Sequence, residues 1–528
     1  MEKTIKKIVT LCLCSIVAFG CVGCGEIGGV SDKDSSTVQM YVWDSGFGVD
    51  WITEIVNEYN AKQTTYKVEL ETTSNMNTIT SSLGASVNPY DLYITGVASC
   101  KGTVENMADL TSVLDSTYEG ESKTIRQKMK QYDIDRNTYN GKFNSFTLGA
   151  QVQGIIYNAE LFDTYSLEEP KTSKELENLA WQIQYDDSMV YDGDKKIAPF
   201  IHYKDTNNGD WKSIYEVWVG QYLGLTGYQD LVKLKDSNGT DQKNVWLGNS
   251  ADGTSNKEND ARYKVLKALE SILTVNTVHT NSNELSFTDM QTKFLGGQSV
   301  MYVSGSHLKG EMSVVDDFNF KMMKTPVFSD IVEKLEYREG NSYMTDAQLS
   351  KIISSIDAGK DYANTKTDTG LNNLSESDYN RIKEARAMDY GRVGDAGQLV
   401  FVPTSSNAID ASKDFLKYMY SDAGAEAWMK TQHTEFAVEL QDKSLIDTSN
   451  YGIWENSINE IIKTRTVKLG GGLDASKLFV NNGKDIFANV NIIMNLTAKN
   501  PSDRGNADTI WSEMQQIINS NWHIWENA

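Results

Sequence analysis

Cysteine, proline and histidine are all scarce in this chain of 528 residues, which has only five, six and five of them. Four of the cysteines lie within the first 24 residues, so only Cys100 follows them and no disulfide framework can hold the body together. The histidines show no metal-ligand spacing, and no Cys/His zinc site can be assembled. Gly-x-Ser-x-Gly, Walker and dinucleotide-binding motifs are absent too. We therefore expect no metal, no cofactor and no catalytic residues.

The chain opens with a short apolar run at residues 8–20, preceded by three lysines. A bilayer span needs about 20 apolar residues, so the run is typical of a secretory signal instead. It ends in Val-Gly-Cys24-Gly, which resembles the lipobox of bacterial lipoproteins. We predict a signal peptide at 1–23, lipidation of Cys24 and a flexible tether at 24–36. Cys21 is an alternative lipidation site, and an uncleaved anchor is a second alternative.

The composition is strongly acidic, with a net charge of −22. This balance argues against nucleic acid and anionic lipid as partners. The acidic residues are scattered, which favours a solvated surface. Chance pairs of carboxylates are inevitable among 72 acidic residues, so glycoside hydrolysis stays open as a function.

Apolar alternation predicts strands at 38–43, 66–71 and 91–95, with a helix capped by Asp50 after the first of them. This order of strands and helices indicates a parallel sheet with crossover helices. Ligands bind at the carboxyl ends of strands in such sheets. The rule points to the turn that holds Trp43, Asp44 and Phe47.

A second region of the same kind begins with a predicted strand at 152–158 and a helix at 174–183. Later, the stretch "FLGGQSVMYVSGSH" contains a buried strand at 300–303 that runs into Gly-Ser306-His307. The small residues let the backbone approach a ligand closely.

Four segments together resemble family 1 extracellular solute-binding proteins, the carbohydrate-binding components of ABC importers, which include maltose-binding protein. They are "VQMYVWDSG…WITEIVNEYNA", "GIIYNAELFDTYSLEEPKTSKELENLA", "FLGGQSVMYVSGSH" and "VPTSSNAIDASKDFLKYMYSDAGAEAWM". Their order and spacing span nearly all of the chain after the signal.

The resemblance implies an α/β protein with the two-lobed periplasmic-binding-protein fold (type II). Each lobe would be a mainly parallel sheet flanked by helices, and a hinge would be crossed three times, near 147–152, 320–326 and 432–436. The N-terminal lobe would comprise 37–150 and 326–432, with a helical insertion at 327–396. The C-terminal lobe would comprise 151–325 and 433–528.

A sugar offers a flat C–H face to aromatic rings and hydroxyls to polar side chains. The resemblance places Trp211 where relatives stack an aromatic ring on the sugar. It also places His307 where they use tryptophan, which puts a maltodextrin ligand in doubt; a core or surface role for His307 is the alternative. The predicted ligand-binding residues are Trp43, Asp44, Phe47, Asp210, Trp211, Ser306, His307, Asn407 and Trp454.

These observations predict a lipid-anchored, substrate-binding component of an ABC importer on the surface of a Gram-positive cell. It would be a monomer that captures an oligosaccharide and delivers it to the permease subunits, without breaking a bond. A surface glycoside hydrolase or a polysaccharide-tethering lipoprotein is the alternative function. A non-sugar solute is the alternative ligand.

Overall fold

The computed structural model describes residues 34–83, 88–96, 104–148, 152–204, 210–232, 242–250, 252–312, 319–390, 398–469, 479–480, 484–485 and 491–525. The predicted signal peptide, both candidate lipidation sites, Cys21 and Cys24, and most of the tether lie outside these residues. Two sheets are formed by β1 Thr37–Trp43, β2 Lys67–Thr73, β3 Leu92–Gly96, β4 Phe146–Thr147, β5 Gln153–Asn158, β6 Ala198–Ile201, β7 Ser299–Gly305, β8 Phe320–Met322, β9 Met388–Tyr390, β10 Gln398–Phe401 and β11 Val467–Leu469.

The first sheet has the strand order β2-β1-β3-β10-β4. Strands β1, β2 and β3 are parallel, as the sequence predicts. Strand β10 runs antiparallel to both of its neighbours, with Gln398 opposite Gly96 and Leu399 opposite Thr147. The chain therefore leaves this sheet after β4, and returns to it through β10, at the edge where β1 and β3 end.

The second sheet has the order β6-β7-β5-β9-β11, and β8 also pairs with β5. Strand β5 is antiparallel to β7, β8 and β9, with Gln153 opposite both Gly305 and Tyr390. Here β5 begins, and β7 and β9 end, at one edge. Each sheet is therefore mixed but mainly parallel, because a single strand runs against the others, β10 in the first sheet and β5 in the second. Both of these strands arrive from the other sheet and enter at the carboxyl edge.

Each sheet has its own hydrophobic core. Around the first sheet lie the helices Asp50–Lys62, Met76–Leu83, Thr111–Leu114, Ile125–Lys128, Gln131–Arg136, Ile409–Met419 and Asp422–Gln432. Around the second lie Ala159–Thr164, Ser173–Tyr185, Trp211–Val232, Lys243–Trp246, Ala261–Ile272, Phe287–Leu295, Leu308–Glu311, Ile453–Thr464, Ile492–Leu496 and Ala507–Trp525. None of the helices in the described ranges is long and apolar enough to cross a membrane.

Three further helices, Asp346–Asp357, Tyr362–Thr369 and Glu376–Arg386, share a separate core. We expected this insertion in the first lobe, but it packs on the second. The buried Gln221 of helix Trp211–Val232 donates to the Ala385 carbonyl at 3.0 Å and accepts from the Phe328 amide at 2.8 Å. The chain then enters β9 of the second sheet, so it returns to the first sheet after residue 390 rather than near 320–326.

Candidate functional site

The loops that follow β1 and β7, at the carboxyl edges of the two sheets, contact each other. We call the loop at 43–48 the first-sheet edge and the loop at 305–311 the second-sheet edge. An ideal Cβ placed on Gly46 would lie 3.0 Å from the His307 Cβ and 3.3 Å from the Glu311 Cγ. The Phe47 and His307 rings also meet edge to face, with centroids 6.5 Å apart. These contacts make the facing edges the candidate binding site.

The first-sheet edge is fixed by hydrogen bonds to neighbouring strands. The Asp44 amide donates to the Thr73 carbonyl at 2.8 Å, and the Gln398 side-chain amide donates to the Trp43 carbonyl at 3.0 Å. Phe47 is half-buried, because its ring packs on the buried Trp428 at 5.5 Å. The result is a rigid turn that offers aromatic rings, while the Asp44 side chain is exposed.

The second-sheet edge turns sharply after β7. The Ser306 amide donates to the Val152 carbonyl at 2.8 Å, and the Ser306 hydroxyl accepts from the Val152 amide at 3.3 Å. This pair buries Ser306 at the start of the turn. The His307 ring folds back over Gly305, where a side chain would overlap it.

Acidic groups gather beside this turn. The buried Asp210 accepts hydrogen bonds from the Gln153 amide at 2.5 Å and the Tyr302 hydroxyl at 3.2 Å. Burial and the charge of Asp210 raise the pKa of Tyr302 well above its usual value. Burial, aided by Asp210, also raises the pKa of Glu311 to about 7, although a 2.9 Å hydrogen bond from Gln291 acts the other way.

Sequence reasoning did not single out Gln153, Tyr302 or Glu311. A signal for Glu311 was available, because it follows His307 by four residues and such spacing places two side chains on one face of a helical turn. The structure puts the His307 Nε2 and Glu311 Oε1 atoms 3.8 Å apart. The roles of Gln153 and Tyr302 depend on which strands become neighbours, and local sequence does not encode that.

Trp211 lies directly after Asp210 but points into the core of the second lobe. Only 4% of it is exposed, and its ring meets Phe200 edge to face at 5.3 Å. Its indole N–H is buried and has no hydrogen-bond partner among the described residues. Its role as a stacking platform for a sugar stays a prediction.

The structure does not bring Asn407 and Trp454 to the contact between the edges. Asn407 follows Ser406, whose hydroxyl donates to Asp91 at the start of β3, and so lies at the opposite edge of the first sheet. This placement follows from the reversed direction of β10. Trp454 is 3% exposed and packs in an apolar cluster of the second lobe with Ile156 and Tyr302.

A second link between the lobes lies at Arg465, a buried residue just before β11. Its guanidinium pairs with Asp389 of β9 at 3.2 Å and donates to the Tyr132 hydroxyl at 3.1 Å. Tyr132 belongs to helix Gln131–Arg136, beside the first sheet.

The described residues contain no group of three His, Cys, Asp or Glu side chains that could hold a metal ion.

Comparison with solved structures identifies the architecture. A family 1 extracellular solute-binding protein from Bifidobacterium longum subsp. infantis is 13% identical over 92% of this chain and 99% of its own, with a TM-score of 0.56. The chain has the solute-binding-protein fold. No protein-family model matches the chain, and neither does any curated protein.

Two further structures share this solute-binding fold. An ABC substrate-binding protein from Listeria monocytogenes, in complex with cycloalternan, is 13% identical over 93% of this chain and 100% of its own, with a TM-score of 0.57. The SBP RafE, in complex with raffinose, is 12% identical over 92% and 99%, also with a TM-score of 0.57. At these identities the likeness is one of fold.

Proposed function

We propose that this protein is the substrate-binding component of an ABC importer and captures a carbohydrate, an oligosaccharide, between the two sheet edges. The observation that carries the proposal is the contact between the edges, on a fold shared over more than nine-tenths of the chain with proteins solved with raffinose and cycloalternan. Edges that meet directly can enclose a solute that lies beside the contact. No bond in the ligand is broken.

The chemistry of the two edges suits a neutral, hydroxylated ligand. The rings of Trp43, Phe47 and His307 can pack on the C–H face of a sugar, and Asp44 and Glu311 can accept hydrogen bonds from hydroxyls. A ligand that touches both edges binds the closed arrangement more tightly than the open one. Its differential affinity is then what closes the lobes.

Closure needs a hinge, which we place where the chain passes between the sheets. These passages are from β4 to β5, from β9 to β10, and between the first-lobe residue Leu440 and helix Ile453–Thr464. Passages of this kind would allow a rotation of one lobe on the other with little change inside either.

A direct test is a melting-temperature screen against raffinose, cycloalternan, xylo-oligosaccharides, chitin oligosaccharides and maltodextrins. Bound ligand raises the melting temperature by mass action, by an amount that grows with concentration. We expect at least one sugar other than maltodextrin to do so and to be recovered intact. Release of shorter products would instead support the hydrolase alternative. No shift with any sugar, but a shift with a peptide or polyamine, would overturn the carbohydrate assignment.

We also propose that lipid on Cys24 holds the protein on the outer face of the cytoplasmic membrane, where it would meet the permease subunits as a monomer. The support is the sequence pattern around that cysteine. Cys24→Ala should release the protein into the medium, whereas Cys21→Ala should leave it on the membrane. The reverse result would assign lipidation to Cys21.

A further inference from the structure

The contact between the two edges includes a close approach of backbone to backbone. A Cβ placed on Gly310, in the short helix Leu308–Glu311, would overlap the carbonyl oxygen of Gly46 in the other lobe. On its far side Gly310 is exposed to solvent. The glycine therefore lies at the rim of the lobe contact and outside any hydrophobic core.

The backbone itself does not require glycine at either position. Neither Gly46 nor Gly310 has a positive φ, so an alanine can adopt the conformation of each. Glycine in a helical turn is less stable than alanine, because it loses more conformational freedom on folding. The close approach instead requires that residue 310 lacks a side chain, since a Cβ there meets the Gly46 backbone, whereas a Cβ on residue 46 meets only side-chain atoms of His307 and Glu311.

The short helix cannot easily shift to make room for a side chain. Leu308 is fully buried in the second lobe, and the Lys309 ammonium pairs with the buried Glu455 of helix Ile453–Thr464. On the other side, the Gly46 turn is fastened by the hydrogen bonds of Asp44 and Gln398. An added methyl group would have to push the lobes apart.

We propose that Gly46 and Gly310 form a closing contact that sets how far the lobes close, so that a side chain at position 310 holds the cleft open. The consequence for ligand capture rests on the proposed function. The contact itself does not, and it can be tested without a ligand.

A disulfide reports the contact directly. The ideal Cβ of residue 46 lies 3.0 Å from the Cβ of His307, near the separation of about 3.5–4.5 Å in a disulfide. The full-length double variant Gly46→Cys/His307→Cys should therefore crosslink under mild oxidation, which is read by mobility on a non-reducing gel. The single variants Gly46→Cys and His307→Cys control for the five native cysteines.

Gly310→Ala is then added to the double variant. We expect the crosslinking rate to fall by about tenfold, since insertion of a methyl group into a filled contact is unfavourable. The melting temperature should stay the same or rise, because alanine favours the helical turn. Gly227→Ala, in helix Trp211–Val232 and near only Leu223 of its own helix, is the matched control and should leave the rate unchanged.

Each other outcome overturns the proposal. No crosslink in the double variant means that the edges do not meet, and an unchanged rate with Gly310→Ala means that the glycine does not set closure. A lowered melting temperature with a lowered rate would assign Gly310 to the fold of its own lobe. If crosslinking behaves as expected but no sugar binds, the proposed function fails and the closing contact stands.

Discussion

The first-sheet edge presents aromatic rings and the exposed Asp44 carboxylate, whereas the second-sheet edge presents His307 and Glu311 with the buried Asp210 behind them. Phe47 is held against Trp428 inside the first lobe, and the turn around it is fastened by amides. Across the contact, Asp210 and Glu311 lie in one acidic group beside His307. We therefore expect aromatic contacts with a ligand to depend mainly on the first lobe, and the pH dependence of this site to depend on Glu311 of the second.

The largest effect is expected for substitutions of Trp211, which distinguish a role in core packing from a role in ligand contact. Trp211→Ala should lower the free energy of unfolding by about 3–5 kcal/mol, the usual cost of removing a buried aromatic. Trp211→Phe keeps a ring against Phe200 and should cost less. Urea unfolding measures both. Affinity for an identified sugar that stays within about twofold in a folded Trp211→Ala protein would refute the predicted platform, since stacking contributes ~0.5–1.5 kcal/mol.

Asp210 supports the second-sheet edge, so its removal should weaken that edge alone. Asp210→Ala leaves the buried amide of Gln153 and hydroxyl of Tyr302 without their acceptor, at a cost of about 1–3 kcal/mol. The melting temperature should fall by several degrees. The exposed Asp44→Ala is the matched control and should melt like the parent protein. Equal shifts in the two variants would contradict the hydrogen-bond network.

Substitution of Phe47 tests whether the aromatic rings of the first-sheet edge contribute to stability and to sugar binding. Phe47→Ala removes edge and face contacts with Trp428 and His307, for which we expect a loss of ~0.5–1.5 kcal/mol in stability and a weaker sugar affinity. Phe287→Ala is the control, because Phe287 is 37% exposed and its ring meets Tyr203 edge to face. Affinity measured by calorimetry should change only in the first variant.

The smallest effect concerns pH and Glu311. Its folded pKa of about 7 exceeds the ordinary 4.5, so the protonated form is favoured by folding. Its stabilising contribution is complete below pH 4.5 and is lost as the pH rises through about 7. Because a quarter of the side chain is exposed, we expect no more than about 1 kcal/mol.

Glu311→Gln should flatten this part of the stability profile, measured as the melting temperature from pH 4.5 to 8. Asp210→Asn should shift the Glu311 titration to lower pH, because it removes the neighbouring charge. An identical profile in Glu311→Gln and the parent protein would show that another group titrates there.

Much of the local structure follows from sequence periodicity and turn chemistry. Apolar alternation correctly predicts β1 and β2, and the strands predicted at 152–158 and 300–303 correspond to β5 and β7. Asp50 differs slightly, since it is the first helical residue and makes no capping hydrogen bond. Such features depend on a few neighbouring residues, which is why sequence alone reveals them.

What the sequence conceals is long-range pairing. The apolar pattern of β9 does not show whether it joins the first or the second sheet, and the direction of β10 decides on which edge Asn407 falls. Trp246 is fully buried and donates to the Leu231 carbonyl at 3.0 Å. In each case the deciding partner is remote in the chain or depends on strand order.

The position of β10 has a consequence for the order in which the protein matures. This strand sits between β3 and β4, so the first sheet cannot be completed until residues 398–401 have been synthesised. Nearly all of the second sheet precedes them in the chain. The first lobe is therefore synthesised first but completes its sheet late. Until then, the edges of β3 and β4 that pair with β10 remain without their partner strand. Contacts of such sequence separation are slow to form, and the unfinished sheet is where self-association during maturation would begin.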